Sequence, residues 1–219
     1  MKRIIALWLA ALMLAAQPLQ AAVCVGFGQS VAPTYFLSDT FTEASDTALA
    51  SHTPEIGGTW VSGVGTPIVY STGVLKNTAT GNGMHHNNVS PGSANYTVTT
   101  KIVLNTSLNT YYGGAAARVQ SDKSGYVCLI DGGGSAMIFR RVSDGGYGGS
   151  ALDSDTISGF GSTTEYTIAF TVNGSTLSCN ISPGDISMTA TDTNISAAGY
   201  AGVFFIGGQA HIDSVTGGL

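Results

Sequence analysis

Glu165-Tyr166-Thr167-Ile168-Ala169-Phe170-Thr171-Val172, then Asn173-Gly174, then Ser175-Thr176-Leu177-Ser178-Cys179-Asn180-Ile181 reads as a β-hairpin. Asn-Gly between two strand-like runs favours a tight turn whose twist matches that of the flanking strands. The same grammar extends in both directions. Toward the C-terminus it gives Ile186 to Thr191, Gly199 to Ile206 and Ala210 to Val215. Toward the N-terminus it gives Ala136 to Val142, Tyr126 to Ile130, Gly114 to Gln120 and Tyr96 to Leu104. Val74 to Lys76, Ile68 to Tyr70, Gly58 to Val61 and Thr40 to Thr42 precede these. Turn signals such as Asp131-Gly132-Gly133-Gly134 and Ser71-Thr72-Gly73 separate the runs. About a dozen short strands at this spacing predict an all-β protein, a two-sheet antiparallel β-sandwich. Beyond the N-terminal segment, no stretch carries apolar residues at helical spacing opposite charged ones.

Composition narrows the function classes. Of 219 residues, 43% are hydrophobic and 10% charged, so a substantial core can form. Thirteen acidic residues face eight basic ones, and this balance excludes a generic nucleic-acid binder, which needs a basic surface. Met1-Lys2-Arg3 and the apolar run Ile4 to Ala16, about 13 residues, lead into Gln17-Pro18-Leu19-Gln20-Ala21-Ala22. A positive start, a short apolar core and small residues read as a signal peptide over 1–22, too short to span a bilayer comfortably. The expected product is secreted or cell-surface and has no membrane span after signal removal. Residues 23–38 read as an arm or linker and 39–219 as the sandwich domain. Export leaves Cys24, Cys128 and Cys179 in an oxidising compartment. Cys128 and Cys179 can bridge if their strands face each other, can stay separate as small buried hydrophobes, or can leave Cys24 to pair with another chain.

The order of strands resembles the concanavalin A-like lectin/glucanase superfamily, in its laminin-G-like jelly-roll members. The resemblance rests on Asp39-Thr40-Phe41 with Gly57-Gly58-Thr59-Trp60, Ser71-Thr72-Gly73-Val74-Leu75, Gly114 to Gln120 with Gly125-Tyr126-Val127, and Gly199 to Val203 with His211 to Val215. It covers roughly residues 39 to 216 and implies a concanavalin A-like jelly roll, a fold that hosts lectins, adhesins, hydrolases, lyases and virion proteins. Many such sandwiches carry a calcium ion near the first and last strands, which singles out Asp39 and Asp213, although two aspartates fall well short of the 6–8 oxygens calcium takes. The resemblance also implies that Trp60 packs in the sandwich.

The glucanase pattern of carboxylates alternating on one strand is absent. Asp153-Ser154-Asp155 has the spacing but reads as a solvated loop in a Gly/Ser-rich stretch. His85-His86 makes a poor metal pair, because neighbouring strand residues point to opposite faces. Strand parity assembles a different constellation. With Ala115, Ala117 and Val119 inward, Arg118 and Gln120 face outward. With Val127, Leu129 and Ile138 inward, Tyr126, Phe139 and Arg141 join them. Tyr111, Tyr112 and Tyr147 sit in Gly-flanked loops as further contacts. An aromatic surface with fixed polar groups suits carbohydrate, so the sequence predicts a non-catalytic recognition or adhesion module with a cell-surface glycan as partner. Clustering of Arg118, Lys123, Arg140 and Arg141 favours an anionic one. The alternative is a structural subunit of a cell-surface assembly or phage particle, a homo-oligomer formed through the N-terminal segment. A third reading is a glycan-active hydrolase or lyase.

Overall fold

A computed structural model describes residues 34–78, 82–143 and 146–219. In chain order the strands are β1 (Tyr35–Asp39), β2 (Thr47–Ala48), β3 (Trp60–Val61), β4 (Pro67–Tyr70), β5 (Val74–Asn77) and β6 (Asn82–Asn87). Next come β7 (Tyr96–Val103), β8 (Tyr112–Val119), β9 (Gly125–Asp131), β10 (Ser135–Ser143), β11 (Gly146–Tyr147) and β12 (Asp153–Thr156). The chain closes with β13 (Tyr166–Asn173), β14 (Thr176–Ser182), β15 (Ile186–Thr191), β16 (Tyr200–Ile206) and β17 (His211–Gly218). The expected signal segment, residues 23–33 of the arm with Cys24, and the side chain of Tyr147 lie outside what is described.

The strands form two antiparallel sheets. The first runs β15-β14-β13-β7-β17-β5-β4-β2, with β1 also on β17. The second runs β11-β10-β9-β8-β16-β6-β3, with β12 also on β10. Alternation buries Tyr96, Val98, Ile102, Ile168, Phe170 and Val172 of the first sheet against Ala115, Ala117, Ile130, Ile138, Val203 and Phe205 of the second. Both sets point into the space between the sheets because side chains two apart on a strand share a face. The Cys128–Cys179 disulfide crosses this core from β9 to β14.

Four details differ from the sequence reading. The hairpin turn is shifted by one residue: Asn173 pairs with Thr176, so Gly174 and Ser175 form the tip. Gly174 takes φ 56°, the pattern of a turn that wants Gly at its first central position. The sandwich begins before Asp39, since Tyr35–Asp39 pairs with β17 and buries Leu37 and Asp39; part of the expected arm is therefore the first strand. Thr40–Thr42 is not a strand, and Phe41 turns through φ 51°. Asp153-Ser154-Asp155 is not a loop but edge strand β12, paired with β10. Polar residues are what an edge strand facing water carries, which is why its composition imitates a loop.

The disulfide closes a separation of 51 residues. By loop-closure entropy it stabilises the fold by about 4 kcal/mol. A Cys128→Ala/Cys179→Ala variant is expected to lose about that much in a denaturant titration; an unchanged midpoint would show that the two sheets hold together without it.

Candidate functional site

The site is organised by a defect in the ladder between β8 and β16. Tyr200 pairs with Val119 and Gly202 with Ala116, so β8 carries one residue more than its partner. The extra residue falls at Arg118, in left-handed conformation with φ 49°. Such a bulge breaks the alternation and frees ladder groups. Tyr96, from the opposite sheet, supplies the missing partner: the Arg118 amide donates to the Tyr96 hydroxyl at 2.5 Å. That hydroxyl lies 3.3 and 3.2 Å from the carbonyls of Gly199 and Tyr200. Burial pushes the Tyr96 phenol well above its usual range, so it stays protonated and can donate.

The bulge corrects the predicted surface. Arg118 is buried rather than displayed. Its Nε donates to Ala94 O at 2.9 Å and its Nη1 to Ile195 O at 2.9 Å. One guanidinium thus ties the loop before β7 to the loop before β16. Beyond the bulge the parity reverses, and Val119 joins Ala116 on the outer face of the second sheet. Tyr126 also points inward, on the side of Cys128 and Ile130, while Val127 and Leu129 point outward. The Tyr126 hydroxyl donates to Asp192 Oδ1 at 2.7 Å and accepts from the Ile195 amide at 3.0 Å. Burial first, then Asp192, pushes its pKa up to about 12. Asp192 also holds Arg140 at 2.9 Å. Arg118 and Tyr126 are therefore scaffold for the loops and not a display surface.

Phe139 does face outward, packed on the cluster of Met84, Ala116, Val119, Val127, Leu129 and Phe204. Arg141 shares that face but is buried, its guanidinium 4.7 Å over the Phe204 ring and bonded to Asn82 Oδ1 at 2.8 Å. Tyr112 packs at the far end of the same cluster. Tyr111 lies against Gly207 at the opposite end of β8 from Gln120, so the two tyrosines do not join the cleft described next.

Two depressions flank the β8–β9 turn at this end of the second sheet. One, of about 250 Å³, is walled by Ser90, Pro91, Gln120, Ser121 and Tyr200. The other, of about 240 Å³, is lined by Asp122, Ser124, Arg140, Arg141, Asn194 and Ile195. Gln120 Nε2 donates to Arg118 O at 2.9 Å, which fixes its amide at the cleft wall. Gly199 forms the floor; a Cβ there would stand 2.6 Å from Gln120 Nε2 and 2.5 Å from the Arg118 backbone. The Tyr200 ring stacks on His86 with centroids 4.9 Å apart and planes 16° from parallel. His86 Nδ1 lies 3.0 Å from Lys123 Nζ. Burial first, then Lys123, lowers the His86 pKa to about 4, so at neutral pH the imidazole is uncharged and accepts from the ammonium. Tyr200, Ser90 and Ser121 were missed from sequence because nothing local marks them; the bulge brings them together with Gln120.

The remaining candidates resolve differently. Asp39 accepts from the Phe41 amide at 2.7 Å, Trp60 Nε1 at 2.7 Å and His52 Nε2 at 2.9 Å. Burial raises its pKa despite these donors. Its oxygens are occupied by N–H groups, so the expected calcium site with Asp213 is not formed around it. Among the described residues no cluster of three His, Cys, Asp or Glu side chains is placed to hold a metal. Asp213 instead meets Glu165 on the first sheet. Burial and then Glu165 raise it to about 6, while Lys101, 3.0 Å away, lowers Glu165. Asp153 accepts the Ser154 and Thr189 amides at 2.8 and 2.9 Å, and Asp155 the Thr156 amide at 2.7 Å. Both carboxylates thus serve the backbone at a sheet edge.

No protein-family model and no curated protein sequence matches the chain. Solved structures do match. The carbohydrate-binding module CBM66 from Bacillus subtilis is similar at TM-score 0.63 and 17% identity, over 75% of this chain and 98% of that one. The metal-free exoplasmic/lumenal domain of VIP36 is similar at TM-score 0.57 and 12% identity, over 85% and 93%. A beta-1,3-glucanase from Mycobacterium marinum is similar at TM-score 0.56 and 11% identity, over 84% and 98%. The fold is the concanavalin A-like jelly roll.

Arg118→Ala leaves two half-buried loop carbonyls without their donor and is expected to cost about 2 kcal/mol, or a melting temperature lower by roughly 4–8 °C for a domain of this size. Arg118→Lys is not expected to rescue it, since a single ammonium cannot reproduce the fork. Full stability of either variant would show that the clamp is dispensable. His86 also makes stability depend on pH. Its folded pKa lies below the unfolded value of about 6.5, so between about 6.5 and 4 the unfolded chain takes up a proton that the fold excludes. The melting temperature is expected to fall as pH drops from 7 to 4.5, and to fall less in His86→Phe. Equal slopes in the two proteins would contradict this assignment.

Proposed function

We propose that this is an exported, non-catalytic carbohydrate-binding module that takes its ligand in the cleft beside Tyr200. The observation that carries the reading is the Tyr200 ring, braced from behind by buried His86, next to the immobilised Gln120 amide and the hydroxyls of Ser90 and Ser121. A rigid aromatic wall with a few fixed polar groups is what a saccharide needs, one face of the sugar ring packing on the aromatic and its hydroxyls exchanging hydrogen bonds. Little ordering is left to occur on binding, because Arg118 and Tyr126 already pin the loops that form the walls. The likeness to a carbohydrate-binding module and to a glucanase supports a glycan ligand. The engagement of Asp153 and Asp155 with backbone amides supports binding without hydrolysis.

Charge refines the ligand class. Arg118 and Arg141 are buried and Arg140 is paired with Asp192, so none of them meets a ligand in the cleft directly; with Lys123 they nevertheless leave this end of an acidic protein with an excess of positive charge over Asp122 and Asp192. The excess favours a saccharide carrying a carboxylate or sulfate. Export rests on the N-terminal segment, and the lumenal setting of VIP36 is in keeping with it.

A glycan array probed with residues 23–219 tests the reading. Retention of acidic glycans, weakened about tenfold or more by Tyr200→Ala (about 1.4 kcal/mol) under conditions where that variant is still folded by circular dichroism, is the expected result. Silence across the array, an unaffected Tyr200→Ala, or reducing ends released from the bound glycan would each contradict it.

A further inference from the structure

The sequence holds two Asn-Gly pairs, Asn82-Gly83 and Asn173-Gly174. An Asn followed by Gly carries a built-in reaction, because no Cβ hinders the Gly nitrogen from reaching the Asn side-chain carbon. When it attacks, a bond forms between the Gly nitrogen and Asn Cγ, and the Cγ–Nδ2 bond breaks. Ammonia leaves, carrying the proton that the Gly nitrogen gives up, and a five-membered succinimide remains. Water then opens the ring at either carbonyl. One opening gives Asp in the ordinary chain, the other an isoaspartyl link through the side chain. Water is the only co-reactant, so the surroundings of each pair decide whether the reaction runs.

The fold treats the two pairs differently. Asn82 opens β6, half-buried. Its Oδ1 accepts from Arg141 Nη1 at 2.8 Å, and Asn82 and Gly83 pair with Ile206 and Phe205 of β16. Gly83 is buried, with Val64 O where a Cβ would stand. The Asn82 side chain cannot turn back on the Gly83 nitrogen without breaking these contacts.

Asn173 closes β13 at the tip of the β13–β14 hairpin. Both it and Gly174 are exposed, and among the described residues the Asn173 side-chain amide makes no hydrogen bond. Nothing lies within 4 Å of the space a Cβ would take on Gly174. One bond restrains the nucleophile: the Gly174 amide donates to Asn95 Oδ1 at 2.9 Å. The attack consumes that proton, so this bond must open first. Asn95 Oδ1 also lies 3.5 Å from Arg118 Nη2, and Arg118 Nε holds the neighbouring Ala94 O. The hairpin tip is thereby fastened to the loop that the buried guanidinium clamps.

We infer that Asn173 is a site of spontaneous deamidation, that Asn95 sets its rate, and that Asn82, with the same following residue, is spared. The reaction undoes the fastening it has to break. An imide nitrogen carries no proton, so Asn95 Oδ1 is left with Arg118 alone. An isoaspartyl product adds a methylene to the main chain beside Gly174 and disturbs the pairing of Asn173 with Thr176. None of this depends on what the cleft binds.

The test is peptide mapping by mass spectrometry of residues 23–219 stored in mildly alkaline buffer, native and in denaturant. In denaturant both Asn82 and Asn173 are expected to convert, each gaining the mass of an OH in place of an NH2 and yielding a share of isoaspartate. In the native protein only Asn173 is expected to convert, at least about fivefold slower than in denaturant, which is what one ordinary hydrogen bond supplies. Asn95→Ala is expected to recover about that factor, and Asn95→Asp, which keeps an acceptor for the Gly174 amide, is expected to stay near wild type. Asn82 intact in the same native sample shows that a variant is folded. A native Asn173 that stays unmodified while the denatured chain converts overturns the inference, as does native conversion of Asn82 at the rate of Asn173. Equal Asn173 rates in native and denatured protein, or a folded Asn95→Ala no faster than wild type, would overturn the role given to Asn95.

Discussion

A guanidinium buried at a β-bulge is the constraint on which the cleft depends. Burying Arg118 is costly unless its donors are satisfied, and they are met by carbonyls of two different loops, Ala94 O and Ile195 O. The bulge itself is tolerable only because the Tyr96 hydroxyl crosses from the opposite sheet to take the Arg118 amide. Backbone distortion, buried charge and inter-sheet hydrogen bond therefore stand or fall together. Their joint product is a pair of loops fixed at a distance that leaves a cleft between Ser90 and Tyr200. The Tyr126–Asp192–Arg140 chain repeats the device on the far side of the same loop.

Much of the architecture was legible in the sequence because turns and β-branched runs are local signals. Ser71-Thr72-Gly73 joins β4 to β5 as read, and Val98, Ile102 and Leu104 point into the core. On β8 the inward parity of Ala115 and Ala117 was legible, but that of Val119 beyond the bulge, and the parity of β9, were not. Tyr126, Cys128 and Ile130 are no more apolar as a set than Val127 and Leu129, and the second sheet buries apolar side chains on both faces. Hydrophobic alternation cannot choose between two apolar faces. A bulge is harder still, since one extra residue reverses every side chain beyond it without altering composition.

The site residues divide along the same line. Gln120 is at the cleft because it lies just past the bulge, where the turn between β8 and β9 begins. Tyr200 and His86 sit on neighbouring strands β16 and β6 yet far apart in sequence, so no spacing rule links them. Asp39 drew attention as a carboxylate near the first strand. Its partners, Trp60 and His52, arrive from later segments and make it a structural acceptor: Glu43 and Asp39 hold the His52 imidazole above its usual pKa even though burial opposes this. Buried carboxylates surrounded by N–H donors organise loops; those facing open oxygens bind cations.

Chemical-shift mapping of the amides during titration with an array-selected acidic glycan decides whether the cleft beside Tyr200 takes the ligand. Perturbations are expected to concentrate at Val119 to Ser124 and Ala198 to Tyr200, fading toward the Tyr111–Tyr112 end of β8. Perturbations centred on that far end, or on the first sheet alone, would contradict that placement.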